Sequence, residues 1–149
     1  MMMRIGVAFG LVVIAAVASA CASGGGASDT VMTLTPVGEW RLIAIEGAEF
    51  ELPDGAKLPT LTVRGDGSVG GMAGLNRYSA SVDVDAWDDN GWTMGPAAMT
   101  RMGGTPEAMD FEQRYIDLLG RATSVYPWPR TMDLMREGGF LLRYERVDE

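Results

Sequence analysis

Leu61-Thr62-Val63-Arg64-Gly65-Asp66-Gly67-Ser68-Val69-Gly70-Gly71 places two short β-prone runs on either side of Asp66-Gly67. That dipeptide accepts the positive φ angles of a tight turn, so the stretch reads as a β-hairpin. Strand signals continue in both directions. Upstream, Glu39-Trp40-Arg41-Leu42-Ile43-Ala44-Ile45 begins by alternating polar and apolar residues and then turns wholly apolar, a good first strand. Downstream, residues 78–84 alternate, Asp88-Asp89-Asn90-Gly91 turns the chain into Trp92-Thr93-Met94, and a short strand is expected within residues 97–102.

The period then changes. Ala108, Phe111, Tyr115, Leu118, Leu119 and Ala122 recur at spacings of three and four, the stripe of an amphipathic helix. Thr105 is placed to cap its N-terminus, Pro106 suits the first helical position, and Glu107 sits near the positive end of the helix dipole. Gly120 is expected to weaken or end the helix. Ser124-Val125-Tyr126, Thr131-Met132-Asp133-Leu134-Met135 and Phe140-Leu141-Leu142-Arg143-Tyr144-Glu145 read as strands, with Glu137-Gly138-Gly139 as the last turn. The expected fold is mainly β (α+β): a small antiparallel, barrel-like sheet with one amphipathic helix covering an open end. Trp40, Met94, Phe140 and Leu142 are the side chains expected to fill it.

The N-terminal segment carries a different signal. Arg4 precedes an apolar run over residues 5–17, and Ala18-Ser19-Ala20 leads directly to Cys21, the single cysteine of the chain. This is an export signal over residues 1–20. Cys21 stands where a lipoprotein signal places the cysteine that becomes acylated, although Ala18 replaces the usual leucine. The competing reading is an ordinary secretory signal that leaves Cys21 as a free thiol, and the protein secreted or periplasmic. Residues 21–36 then form a Gly/Ser-rich tether, with a reach on the order of 20 Å, and residues 37–149 form one domain. With acylated Cys21 the membrane is a partner through the lipid anchor. In a Gram-negative host, Ala22 in place of Asp directs the protein to the outer membrane, facing the periplasm.

Composition excludes several functions. The chain of 149 residues carries a formal charge of −8, and removing residues 1–20 takes away only Arg4, giving −9. Nucleic-acid binding needs a basic face that releases counterions from phosphate, and none is expected here. There is no histidine, which removes Ser-His-Asp and Cys-His catalysis and His-ligated zinc. With Cys21 outside the domain, thiolate ligands are also gone. The sequence therefore predicts no enzyme, no cofactor and no metal. The acidic run at Asp83, Asp85, Asp88 and Asp89 fails the calcium-loop pattern, because Asp88 falls where glycine is required. It reads as a polar turn. Arg64-Gly65-Asp66 spells an adhesion tripeptide but reads as the approach to the hairpin. Met94, Met99, Met102, Met109, Met132 and Met135 are expected as adaptable core filling.

Gly70-Gly71-Met72-Ala73-Gly74-Leu75-Asn76-Arg77-Tyr78 and Ala98-Met99-Thr100-Arg101-Met102 are the most distinctive segments. Together with the Gly38-x-Trp40-x-Leu42 strand, they resemble the META domain, the family of heat-inducible HslJ-like lipoproteins, over about residues 37–147. The family often carries one cysteine just before the Asn and another after the second Met. Leu75 and Gly104 stand at those places here, as if a paired cross-link had been lost. The resemblance implies a barrel-like antiparallel fold, a cell-envelope location and a link to stress response or antibiotic tolerance, and it brings no catalytic residues. Asn76, Arg77 and Arg101 are the candidate interaction residues, although Asn76 also suits a role satisfying backbone groups in the Gly-rich bend. Two functions remain: an envelope protein acting through a protein partner, or a small barrel binding an apolar or amphipathic ligand. A solid interior favours the first and an open apolar cavity the second. Carboxylate-based hydrolysis has only the abundance of Asp and Glu behind it.

Overall fold

The computed structural model describes residues 34–147. The expected signal peptide, Cys21 and nearly all of the tether lie outside them. Eight strands form one antiparallel sheet: β1 (Gly38–Ile45), β2 (Thr60–Val63), β3 (Ser68–Met72), β4 (Arg77–Ser81), β5 (Ala98–Met99), β6 (Ser124–Pro127), β7 (Thr131–Arg136) and β8 (Gly139–Arg146), with helix α1 (Pro106–Arg121) between β5 and β6. The spatial order is β5-β4-β3-β2-β1-β8-β7-β6, so the first strand lies at the centre, paired to β2 on one side and β8 on the other.

The predicted hairpin is β2–β3. Gly67 takes φ +84°, and a Cβ there would lie 2.5 Å from the Val82 carbonyl oxygen. Asp66 accepts the backbone N–H and the hydroxyl of Ser68, and these two bonds hold its carboxyl below the ordinary range. The break in alternation along β1 has a structural cause. The register against β8 slips between Leu42 and Ala44, so Trp40 and Leu42 point inward before the bulge and Ile45 after it.

The sheet curls strongly. β4 and β8 are four places apart in the sheet, ~19 Å if it were flat. Yet the Tyr78 and Tyr144 hydroxyls each lie 3.0 Å from that of Tyr115 on α1. The Tyr78 hydroxyl also donates to the Thr60 carbonyl at 2.8 Å. The strand ladder does not close, and β5 and β6 remain its edges. Residues 90–95 bridge part of the gap: the Trp92 N–H donates to Thr123, the Val125 N–H to Asn90, the Asp83 N–H to Thr93 and the Gly95 N–H to Ser81. The expected strand at 92–94 is thus reduced to one isolated bridge, Met94 to Val82, with a second at the preceding Gly91, and the strand expected over 78–84 ends at Ser81. Asp83 instead caps a 3-10 turn over Val84–Asp89, which ends at Asn90 in the left-handed region.

Helix α1 follows the stripe. Thr105 accepts the Ala108 N–H, and Ala108, Phe111, Tyr115, Leu118 and Leu119 are buried. Gly120 lies inside the helix, which ends one residue later. The interior is filled by side chains, among them Trp40, Trp92, Tyr115, Tyr144, Leu61, Leu119, Met132 and Leu142. Two expectations for it fail. Met94 only packs against its margin, and Phe140 lies half-buried beneath the Arg143 guanidinium, 4.6 Å from its ring centre. Phe140 and Leu142 stand on the same side of an ideal strand, but the register of β7 on β8 shifts between Leu134 and Met135, before the Met135–Phe140 pair. Nor are the methionines uniformly core: Met132 is fully buried, whereas Met102 is 68% and Met109 50% exposed.

Burial pushes the phenols of Tyr78, Tyr115 and Tyr144 well above their ordinary value, chiefly because charge is disfavoured in the dry interior. A raised folded pKa contributes stability below the unfolded pKa of about 10 and loses it as pH rises further. Ultraviolet titration is expected to show these three phenols ionising only with loss of the fold. Reversible ionisation of all four tyrosines at pH ~10 in folded protein would contradict this burial.

Candidate functional site

The Gly-rich bend exists because backbone and helix crowd it. A Cβ on Gly71 would lie 2.1 Å from the Thr60 carbonyl oxygen, so β2 and β3 can approach there only without a side chain. Gly74 has φ +135°, and a Cβ on it would press Phe111 and Glu112 of α1. The bend directs two consecutive backbone donors at one carboxylate: the Leu75 N–H, at 2.8 Å, and the Asn76 N–H, at 2.5 Å, both donate to Glu112 Oε2. Asn76 Nδ2 donates to Glu112 Oε1 at 2.8 Å and to the Met102 carbonyl at 3.1 Å. Its Oδ1 accepts the Met102 N–H at 2.6 Å and the Thr100 hydroxyl at 3.1 Å. The four bonding positions of the Asn76 amide are filled. The residue staples bend, helix and the Met99-Thr100-Arg101-Met102 segment together.

The three candidate residues therefore meet in space but do different things. Asn76 is buried, at 5% exposure, and spends its polar atoms internally. Arg77 and Arg101 are both exposed, Arg101 within the segment that Asn76 holds and Arg77 on the neighbouring strand β4. Sequence reasoning missed Glu112, which is 9% exposed. The signal was available: Glu112 falls on the apolar stripe between Ala108 and Tyr115, where a carboxylate needs partners.

Two grooves flank the 97–105 segment. One, of about 400 Å³, runs between it and α1 and is lined by Met99, Arg101, Met102, Met109 and Ile116. The other, of about 500 Å³, lies towards the bend and is lined by Lys57, Met72, Leu75, Arg77 and Gly104, with Met102 again on its wall. Met102 is the ridge between them. This surface offers thioethers, aliphatic groups and cations rather than an acid–base pair. Among the described residues no group of three or more carboxylates stands close enough to hold a metal ion.

The META domain family model matches residues 32–148, and the chain belongs to that family. No curated protein matches it. Among solved structures, it is similar to an NMR structure of a protein from Burkholderia xenovorans, with 26% identity and a TM-score of 0.57, covering 75% of this chain and 83% of that one. It also shares its fold with a DUF4847 family protein from Bacteroides vulgatus, with 14% identity and a TM-score of 0.53, covering 75% of this chain and 94% of that one.

The two positions at which the family often carries cysteine touch in this fold. A Cβ built on Gly104 falls 2.7 Å from both Leu75 methyl carbons, so the leucine fills the space above the glycine. The Leu75→Cys/Gly104→Cys variant is expected to form a disulfide and gain ~2–4 kcal/mol, read as a reductant-sensitive melting temperature. Two free thiols under oxidising conditions would contradict the pairing.

Proposed function

We propose that this META-domain protein is exported, held at the cell envelope by acylated Cys21, and acts without catalysis in envelope stress or antibiotic tolerance. The observation that carries this reading is the contrast between interior and rim. Side chains fill the space inside the curled sheet, leaving the exposed Met102, Met109, Arg77 and Arg101 as the distinctive chemistry. A solid core supports action through a protein surface. The groove beside α1 gives the second reading its footing, because its thioethers and Ile116 suit a small apolar or amphipathic ligand.

The test is complementation of a strain lacking the protein. Cys21→Ser is expected to move the protein into soluble fractions with its melting temperature unchanged, and intact mass is expected to show a chain beginning at a modified Cys21. An unmodified terminus removes the anchor from the account. Folded variants with each Asp or Glu other than Glu112, whose carboxylate holds the bend, replaced singly by Asn or Gln are expected to restore tolerance. One such folded variant without activity would overturn the non-catalytic reading.

A further inference from the structure

The groove on the bend side of Met102 combines apolar walls with two cations. Met72, Leu75 and Met102 line it, and Leu75 fills the space above Gly104. Lys57 and Arg77 line the same groove, and no carboxylate does. The groove beside α1 differs, because Glu112 stands on its wall together with Arg101. Among the described residues, neither Lys57 nor Arg77 forms an ion pair. The backbone that carries each cation is fixed. The Lys57 N–H donates to the Gly74 carbonyl at 2.7 Å, and the Arg77 N–H to the Thr100 hydroxyl at 3.0 Å. Met72 is the register partner of Arg77 across β3 and β4, so thioether and guanidinium leave the sheet side by side on one face. The volume, about 500 Å³, lies in the range of small-molecule sites. The chain as a whole carries −8, so an anion is drawn here by the local charges and not by the protein's net field.

We propose that this groove binds a single-chain amphipathic anion, whose carboxylate or phosphate head meets Lys57 and Arg77 and whose alkyl chain lies along Met72, Leu75 and Met102. The proposal deepens the ligand-binding reading and rests on it, and it places the ligand on the bend side of Met102 instead of beside α1. Head and chain need each other here. A small anion alone gains only exposed charge contacts, which are weak in water. An alkyl chain alone gains burial and leaves both cations without a counter-charge. Each methylene fully covered contributes up to about a fourfold gain in affinity.

The probe is monomeric sodium decanoate, titrated into the Cys21→Ser protein without its signal segment, with methionine methyl resonances as the readout. The Met72 and Met102 methyls are expected to shift with a Kd below ~1 mM, while Met109, which lines only the α1 groove, stays in place. Decyl phosphate, run in parallel, separates a phosphate source from a carboxylate one by relative affinity, and binding of either through the two cations supports the site. Hexanoate and decanol are expected to bind at least tenfold more weakly than decanoate. Lys57→Gln/Arg77→Gln alters two exposed side chains, so it should keep the parental melting temperature, lose at least tenfold for decanoate and bind decanol as the parent does. Should it not fold, Met102→Glu sets a carboxylate on the wall of the groove and is expected to weaken decanoate by a similar factor. Decanol or decylamine binding as tightly as decanoate, or unchanged decanoate affinity in a folded variant, would overturn the proposal. Shifts confined to Met109 would overturn this site and keep the ligand-binding reading, whereas no shift in either groove with any of these compounds would remove both.

Discussion

Glu112→Ala is expected to cost the domain roughly 3–5 kcal/mol, a large share of the ~5–15 kcal/mol available to a domain of this size. The side chain accepts three N–H bonds, two of them from consecutive backbone amides in a bend that water reaches poorly. Removing the acceptor leaves those donors unpaired, at about 1–3 kcal/mol each before relaxation. Glu112→Gln keeps the shape but turns an amide NH2 towards one of the donors, so an intermediate loss is expected. Urea unfolding with unchanged slope is the appropriate measure. The loss should appear with the 97–102 segment loosened, because Asn76 binds that segment and Glu112 at once. A Glu112→Ala variant within ~0.5 kcal/mol of the parent would show that the carboxylate does not hold the bend.

The second large effect is expected at Gly71. Alanine there puts a methyl carbon 2.1 Å from the Thr60 carbonyl oxygen, with the Thr60 hydroxyl at 2.9 Å. The nearest contact is backbone, as is the Thr60 carbonyl carbon at 2.7 Å, so β2 and β3 must separate. The Thr60 hydroxyl would then lose the Met72 N–H, and the Thr60 carbonyl the Tyr78 hydroxyl. A loss of ~3 kcal/mol or more is expected, at the upper end of overpacking because backbone must move. Gly103→Ala is the control, since nothing lies within 4 Å of its Cβ position. Similar melting temperatures for the two variants would contradict the close approach of the strands.

Local chemistry made much of this fold readable. Asp66-Gly67 announced its turn, Thr105-Pro106 its helix start, and the stripe on α1 its buried face. Even the run of apolar residues after Leu42 was a true signal, of a bulge that changes which face points inward. Long-range geometry was hidden. Met94 and Phe140 read as core because they are large and apolar, yet Met94 lies in the bridging segment and Phe140 beside a register shift. The exposed Met102 and Met109 look like core residues until their neighbours are known. Asn76 and Glu112 are separated by 36 positions, and only the fold shows that the amide and the carboxylate satisfy each other. Leu75 and Gly104, where the resemblance places the family's cysteines, lie in contact, a proximity that their separation along the chain conceals.

The central claim is that the exposed rim around residues 97–105, displayed by the buried Asn76–Glu112 staple, carries the function. The direct measurement is complementation by Arg101→Glu/Met102→Glu, produced at parental level with a parental melting temperature. Both side chains are exposed and neither makes a side-chain bond in the staple, so the fold is expected to survive. Loss of tolerance in that folded variant is the predicted result, and full complementation by it would contradict the account.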